Sequence, residues 1–249
     1  MVELKTPQEI TQMRDAGRIV AELLAHLAAA IEPGMTTKAL DEKALAFIRQ
    51  KGAEPAFLGY RGFPATICVS INEEIVHGIP GDRKVREGDV VSIDAGAILH
   101  GLYADAATTV TVGAVPRTAQ RLIDATRQAL ECGIAQAVVG NRLSDISHAV
   151  QCRLEQDGFG VVREFVGHGI GRALHEEPPI PNFGPPHTGL RLKAGMVLAI
   201  EPMATLGGHE LEILQDGWTA VTRDRSLAAH FEHTVAIMNE GPAVLTTLV

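Results

Sequence analysis

The chain has little cysteine, no excess of positive charge and no long apolar run. Its three cysteines, Cys68, Cys132 and Cys152, are scattered and form no CxxC pair. That excludes a disulfide framework and fits free thiols in a reducing compartment. Lys and Arg number 22 against 30 Asp and Glu, a formal net charge of −8, the opposite of a surface built to wrap nucleic acid. The most apolar stretch, IVAELLAHLAAAI, is interrupted by Glu22 and His26 and is too short to span a bilayer. MVELKTPQEI has no basic segment leading into an apolar core, so no signal peptide is expected and a cytoplasmic location is. Two common motifs are also missing. GHGIG is followed by Arg172, which breaks a GxGxxG dinucleotide fingerprint. HEEPP, from His175, has Pro179 where an HExxH zincin needs its second His.

What is present is an ordinary globular composition, 46% hydrophobic and 21% charged over 249 residues. That length suits one large α/β domain with a substantial core. Thr6-Pro7-Gln8-Glu9 has the residues of an N-cap, a first-turn Pro and a capping box. Ile10, Met13, Val20, Leu24 and Leu27 then recur at helical spacing until Pro33-Gly34. A second helix is predicted from Thr36 or Thr37 to Gly52, burying Leu40, Ala44, Phe47 and Ile48. Further helices are predicted from Thr118 to about Val139 and from Ser144 to Gly158. Residues 64–113 and 161–240 are strand-like, the second stretch broken by EEPPIPNFGPP, expected as an ordered surface excursion.

A weak internal repeat runs through this order. REGDVVSID, ending at Asp94, matches KAGMVLAIE, ending at Glu201, with the acid six residues after a Gly in both. His77-Gly78-Ile79-Pro80 resembles His168-Gly169-Ile170-Gly171. Each half therefore reads helix, helix, His-Gly turn, strand with an acid, strand with an acid. Two such halves, about 5–113 and 118–240 of a single catalytic domain spanning 1–249, predict an α+β fold with a central antiparallel sheet on a pseudo-twofold axis.

Five side chains stand out: Asp94, Asp105, His168, Glu201 and Glu232. The four acids lie in or beside β-rich apolar runs, where Asp and Glu are depleted and an ionised carboxylate is costly unless paired or metal-bound. Asp94 and Asp105 can share one face of a hairpin turning near Leu99 to Gly101; the alternative is a surface hairpin with two solvated acids. Glu201 can also be read as a loop or N-cap acid, and Glu232 as a strand acid paired with Arg223 or Arg225. The glycines around His168 let its imidazole enter a crowded site. His77 and His175 read as hydrogen-bond donors to a substrate or as satisfied buried histidines. His26, His100, His148, His187, His209 and His230 read as surface or helix-face residues. His233 points to the strand face opposite Glu232. Converging, the five residues form a cage for two divalent cations, which activate water and polarise a carbonyl. No phosphate cradle or Arg cluster lies near the acids, which favours an amide over a phosphoester.

SINEEIVHGIP, GDVVSIDAGA, FVGHGIGRALHEEP, GMVLAIEPM, DGWTAVTRD and FEHTV occur in this order, and over about 5–245 the chain resembles the type I methionine aminopeptidases of the short bacterial kind. The resemblance implies the pita-bread fold and removal of the initiator methionine from nascent polypeptides whose second residue is small. It makes Asp94 a ligand of one metal, Asp105 and Glu232 bridging ligands, and His168 and Glu201 ligands of the other. Glu201 becomes the general base, His77 the contact to the scissile amide and His175 the group at the carbonyl oxygen. Tyr60, Phe63, Cys68, His77 and Trp218 become the walls of a methionine pocket. Leu174 and Phe63 depart from residues common in relatives and bear on pocket shape. The metal is left among Co, Mn, Fe and Zn, ribosome docking is left open, and a monomer is expected with neither membrane nor nucleic acid as partner. Competing readings are a proline-directed peptidase of the prolidase or aminopeptidase P type and a non-catalytic binding module of the same fold.

Overall fold

A computed structural model describes residues 2–248. Its first half runs α1 (Pro7–Ala30), α2 (Thr37–Gln50), β1 (Glu54–Pro55), β2 (Ile67–Ile71), β3 (Glu74–Val76), β4 (Val90–Leu99) and β5 (Leu102–Thr111). The second runs α3 (Arg117–Gln136), α4 (Leu143–Gln156), β6 (Gly160–Val161), β7 (Gly167–Gly169), β8 (Glu176–Ile180), β9 (Val197–Ile200) and β10 (Met203–Thr205). It ends with β11 (Leu211–Ile213), β12 (Ala220–Thr222), β13 (Ala228–His230), β14 (Glu232–Met238) and β15 (Gly241–Val244). The predicted capping box forms: Glu9 N–H donates to Thr6 Oγ1 at 3.3 Å and Thr6 N–H to Glu9 Oε2 at 2.8 Å. No described helix is long and apolar enough to cross a membrane.

The main sheet is ordered β1-β4-β5-β14-β9-β7-β8, with β2 on β4 and β15 on β14, all antiparallel. It repeats about the β5–β14 seam: β4 and β9, the two strands leading to the repeat acids, lie next to the central pair. The core repeats too. Leu23, Leu27, Leu40 and Ile48 of α1 and α2 pack with Ile67 and Ile93 on one side. Leu122, Ile146 and Leu154 of α3 and α4 pack with Leu198 and Val235 on the other. Phe47, expected in the core, is half-buried at its edge. This is the α+β pita-bread architecture.

Two expectations need correction. EEPPI does not belong to a surface loop; it is β8, at the end of the sheet path beside β7, where an edge position tolerates residues without an N–H. The two His-Gly turns are not structural equivalents. His168 lies in β7, whereas His77 sits in a turn after β3 with φ 61°. The strand matching β7 is β2, since each pairs with the strand leading to its half's first acid. The halves also differ in length, because β10 to β13 intervene between Glu201 and Glu232.

At the seam the ladder pairs Glu232 with Ala107 and His233 with Ala106. A side chain continues it: Thr234 Oγ1 accepts the Asp105 N–H at 3.0 Å and donates to the Asp105 C=O at 2.7 Å. Thr234 is fully buried, so a substitution that keeps its shape but removes the hydroxyl orphans two main-chain groups. Thr234→Val is expected to cost about 2–3 kcal/mol, measured by urea unfolding of the chelator-treated protein. A loss within error of zero would show that the hydroxyl does not tie the halves together.

Candidate metal centre

Asp94 and Asp105 come from one hairpin. Leu99 pairs with Leu102 across a turn at His100 and Gly101, with φ 53° and 78°, the type I′ geometry that matches strand twist. The register sets Asp94 opposite Ala107 and Asp105 opposite Gly96, so period-two alternation points both acids to one face. Ala107 also pairs with Glu232 across the seam. Asp94, Ala107 and Glu232 thus form a row over three strands, with a methyl group between the carboxylates. Glu201 follows Ile200, the partner of His233, and Asn182 Nδ2 donates to its main-chain carbonyl at 2.9 Å. His168 arrives on β7 between two glycines that permit close strand approach. A Cβ on Gly167 would lie 2.4 Å from the Ala199 oxygen, and one on Gly169 2.2 Å from the Glu177 oxygen.

One atom each of Asp105, His168 and Glu232 lies within 4.8 Å of the others. His168 Nε2 is 4.0 Å from Asp105 Oδ2 and 3.6 Å from Glu201 Oε1. Its Nδ1 donates to the Gly169 carbonyl at 2.9 Å, which leaves Nε2 free as a donor to a metal. Asp105 and Glu232 are buried at 4% and 2% exposure, while Asp94 and Glu201 show part of their side chains to a pocket. Asp94 Oδ1, Asp105 Oδ1 and Glu232 Oε1 are buried with no hydrogen-bond partner. Arg225 pairs with Glu212, and no described Lys or Arg forms an ion pair with the four acids. Buried, unpartnered anionic oxygens around one accessible imidazole nitrogen fit divalent cations.

The pocket above this floor is lined by Phe57, Tyr60, Phe63, Cys68, His77 and Trp218, among others. Phe63 meets Trp218 edge to face at 5.1 Å between centroids. Cys68 stands opposite Asp94 in the β2–β4 register. The left-handed turn at His77 is pinned to β2, with Gly78 N–H donating to Ser70 Oγ at 3.2 Å and Val69 N–H to the Gly78 carbonyl. His175 stacks on Tyr60, its Nδ1 2.9 Å from the hydroxyl, and its ring centroid is 4.1 Å from that of His168. All five predicted metal ligands and all six predicted substrate-contact residues meet in this one cavity. Sequence reasoning missed Phe57 and Arg61 in the lining. It also misplaced His230, which is 2% exposed and has Nε2 3.9 Å from Glu201 Oε2. A spacing of two from Glu232 was the available signal. His233 behaves as expected, sharing a crevice on the other face with Leu24 of α1 and Leu130 of α3.

The model of metallopeptidase family M24 matches residues 11–239. The chain belongs to metallopeptidase family M24. It is 51% identical over 246 residues to the protein named methionine aminopeptidase 1 of Bacillus subtilis, covering 99% of each. The crystal structure of methionine aminopeptidase from Thermotoga maritima superposes with a TM-score of 0.98 at 47% identity, covering 99% of this chain and 100% of that one. A prolidase from Pyrococcus furiosus shares the fold, with a TM-score of 0.81 at 23% identity, but the match covers 98% of this M24 chain and 65% of that one.

Divalent metal dependence follows from the family and from the donor cluster. Burial raises the carboxyl pKa values of Asp94, Asp105, Glu201 and Glu232 when only protein groups surround them, and for the last three the charges of neighbouring acids add to it. Burial lowers His168 to about 4 and His230 to about 3. A raised folded-state carboxyl pKa stabilises the fold below the unfolded value near ~4 and loses that contribution as pH rises through the folded value. The lowered histidines work the other way, but only below their unfolded value near ~6.5. Chelator-treated protein is therefore expected to lose thermal stability as pH rises above about 7, the value to which burial raises Asp94, because Asp105, Glu201 and Glu232 are raised as well. Saturating Mn²⁺ is expected to restore it, because the ligands deprotonate to bind. Calorimetric melts over that pH range check both; a metal-free Tm that climbs with pH would contradict an unpaired buried cluster.

Proposed function

We propose that the protein is a cytoplasmic, dinuclear-metal aminopeptidase that removes the initiator methionine from nascent polypeptides with a small second residue. The observation that carries this reading is the joining of an acid-lined floor to an apolar aromatic pocket in one cavity. An aromatic wall with a buried thiol suits a thioether side chain. The names of the whole-length relatives support the same activity. Asp94, Asp105, His168, Glu201 and Glu232 would hold the cations, and four carboxylates with one imidazole offer more donor atoms than one ion takes. That supports two ions, drawn from Co, Mn, Fe or Zn. The β5–β14 seam, which takes acids from both sides, supports 1–249 acting as one catalytic domain.

The bound cations supply water activation and carbonyl polarisation. Glu201 takes the proton of the attacking water. Tyr60 O–H donating to His175 Nδ1 leaves Nε2–H to hold the carbonyl oxygen as charge builds on it. Burial lowers the His77 and His175 pKa values, so both act as neutral imidazoles near neutral pH. His77 sits at the pocket wall, facing the scissile amide. The free α-amino group is the feature that limits cleavage to N-termini.

With Mn²⁺ or Co²⁺, Met-Ala-Ser is expected to be cleaved, with N-formyl-Met-Ala-Ser and Ala-Pro left intact. No cleavage of the free peptide under any divalent metal would refute the reading, and preferential cleavage of Ala-Pro would replace it with a proline-directed one. Glu201→Gln is expected to lower kcat by about 10²–10⁴-fold with a far smaller change in KM, read from steady-state kinetics on Met-Ala-Ser. Normal turnover would remove Glu201 from the base role.

A further inference from the structure

His230 is a buried titratable side chain that the proposed chemistry leaves without a task. It ends β13, two residues before Glu232 and one strand pairing away from Met203. Its main chain is held on both sides by one hydroxyl: His230 N–H donates to Thr109 Oγ1 at 3.0 Å, and Thr109 Oγ1 donates to the His230 carbonyl at 2.7 Å. Thr109 in turn is 2.8 Å from Ser92 Oγ on β4. The imidazole is therefore presented from a rigid frame. Its Nε2 is buried and has no hydrogen-bond partner, an arrangement that is costly unless a partner closes on it.

The nearest carboxylate oxygen is Glu201 Oε2, 3.9 Å away. Glu201 Oε1 faces His168 Nε2 at 3.6 Å, so the Glu201 carboxylate stands between two imidazoles. The two rings are not in equivalent positions. His168 closes a common point with Asp105 and Glu232, and its Nδ1 is committed to a carbonyl. His230 reaches no carboxylate other than Glu201 among the described ion pairs. That argues against a direct ligand, which needs neighbours converging on the same ion. It favours the outer partner that ligating carboxylates commonly have. A movement of about 1 Å in Oε2 brings the pair to the ~2.8 Å of a charge-assisted hydrogen bond.

We propose that His230 is a positioning residue: its Nε2–H holds Glu201 Oε2 and so presents the opposite oxygen, Oε1, toward the cation site. The inference rests on Glu201 being a metal ligand. Asn182 fixes the main chain of Glu201, and His230 fixes the orientation of its carboxylate. Without that bond the carboxylate is free to rotate, and both metal affinity and the aim of the base suffer. A side-chain amide at the same position supplies an equivalent N–H.

The test uses the full chain, stripped of metal, with three variants. His230→Leu removes the donor, His230→Gln restores an N–H, and Glu201→Gln is the control for the ligand assignment. Mn²⁺ binding is measured by titration calorimetry and the Co²⁺ form by visible absorption. His230→Leu is expected to weaken metal binding by about 10–100-fold, shift the Co²⁺ bands and lower kcat on Met-Ala-Ser more than it changes KM. His230→Gln is expected to recover most of the affinity and the wild-type bands. If Glu201→Gln loses metal while His230→Leu binds it like wild type with unchanged bands, the inference is overturned and the ligand reading stands. If Glu201→Gln binds metal normally, the ligand reading itself fails. Should His230→Leu not fold, ¹⁵N-imidazole NMR of the wild-type protein with Zn²⁺ decides. A protonated Nε2 supports the proposal, and a metal-bound Nε2 would make His230 a ligand and overturn it.

Discussion

Four carboxylates held close together at the sheet, with no ion pair to a described Lys or Arg, form the constraint on which the rest of this structure depends. Two like charges about 4 Å apart repel by ~4 kcal/mol at an effective dielectric of 20, and each buried ion adds a desolvation cost of several kcal/mol. Asp94, Asp105 and Glu232 each keep a buried oxygen without a partner. Aliphatic packing cannot offset such a cluster; protonation or divalent cations can. Protonation sacrifices the donor atoms, so the cluster fits a metal centre, in which stability and metal affinity would be two readings of one electrostatic strain.

The fold meets this constraint by using rigid, short-range devices where the acids lie. The strands that carry them are adjacent, β4-β5-β14-β9, and the positions between them are small: Ala107 in the carboxylate row, Gly96 opposite Asp105, glycines on both sides of His168. Hydroxyls replace or support the ladder where the halves meet. Thr234 clamps Asp105, and Thr109 clamps His230. Mirrored helix pairs then cover the opposite face with two separate apolar clusters. The site thus sits on the sheet face away from the helices, with aromatic residues from the loops around β2 and β12 closing the pocket.

Local rules made much of this visible in the chain. The Thr6 capping box, the helical spacing from Ile10 to Leu27 and the turn at His100-Gly101 are short-range features whose physics lies within a few residues, and they appear in the structure as expected. The carboxylates were legible for a related reason: Asp94 amid Val91, Ile93 and Ala95 conflicts with its surroundings, and such a conflict marks chemistry. Long-range pairing was harder to read. EEPPI looked like a loop because two prolines suppress the strand signal, yet an edge beside β7 accepts them. His230 looked like a surface residue because nothing in AAHFEHT reveals that β13 folds back over Glu201.

The sequence by itself determined the four helices and most of the strand regions, the repeat that brings acids from both halves to one sheet, and the set of donor side chains. These follow from period, capping and the cost of burying charge. Only the tertiary structure decided which strand of one half matches which of the other, and that β10 to β13 separate Glu201 from Glu232. It alone set the register that rows Asp94, Ala107 and Glu232, and the place of His230 behind Glu201. The reason is physical: register and cross-strand neighbours are set by contacts between separate segments, 125 residues apart for Ala107 and Glu232, and no local pattern carries that information.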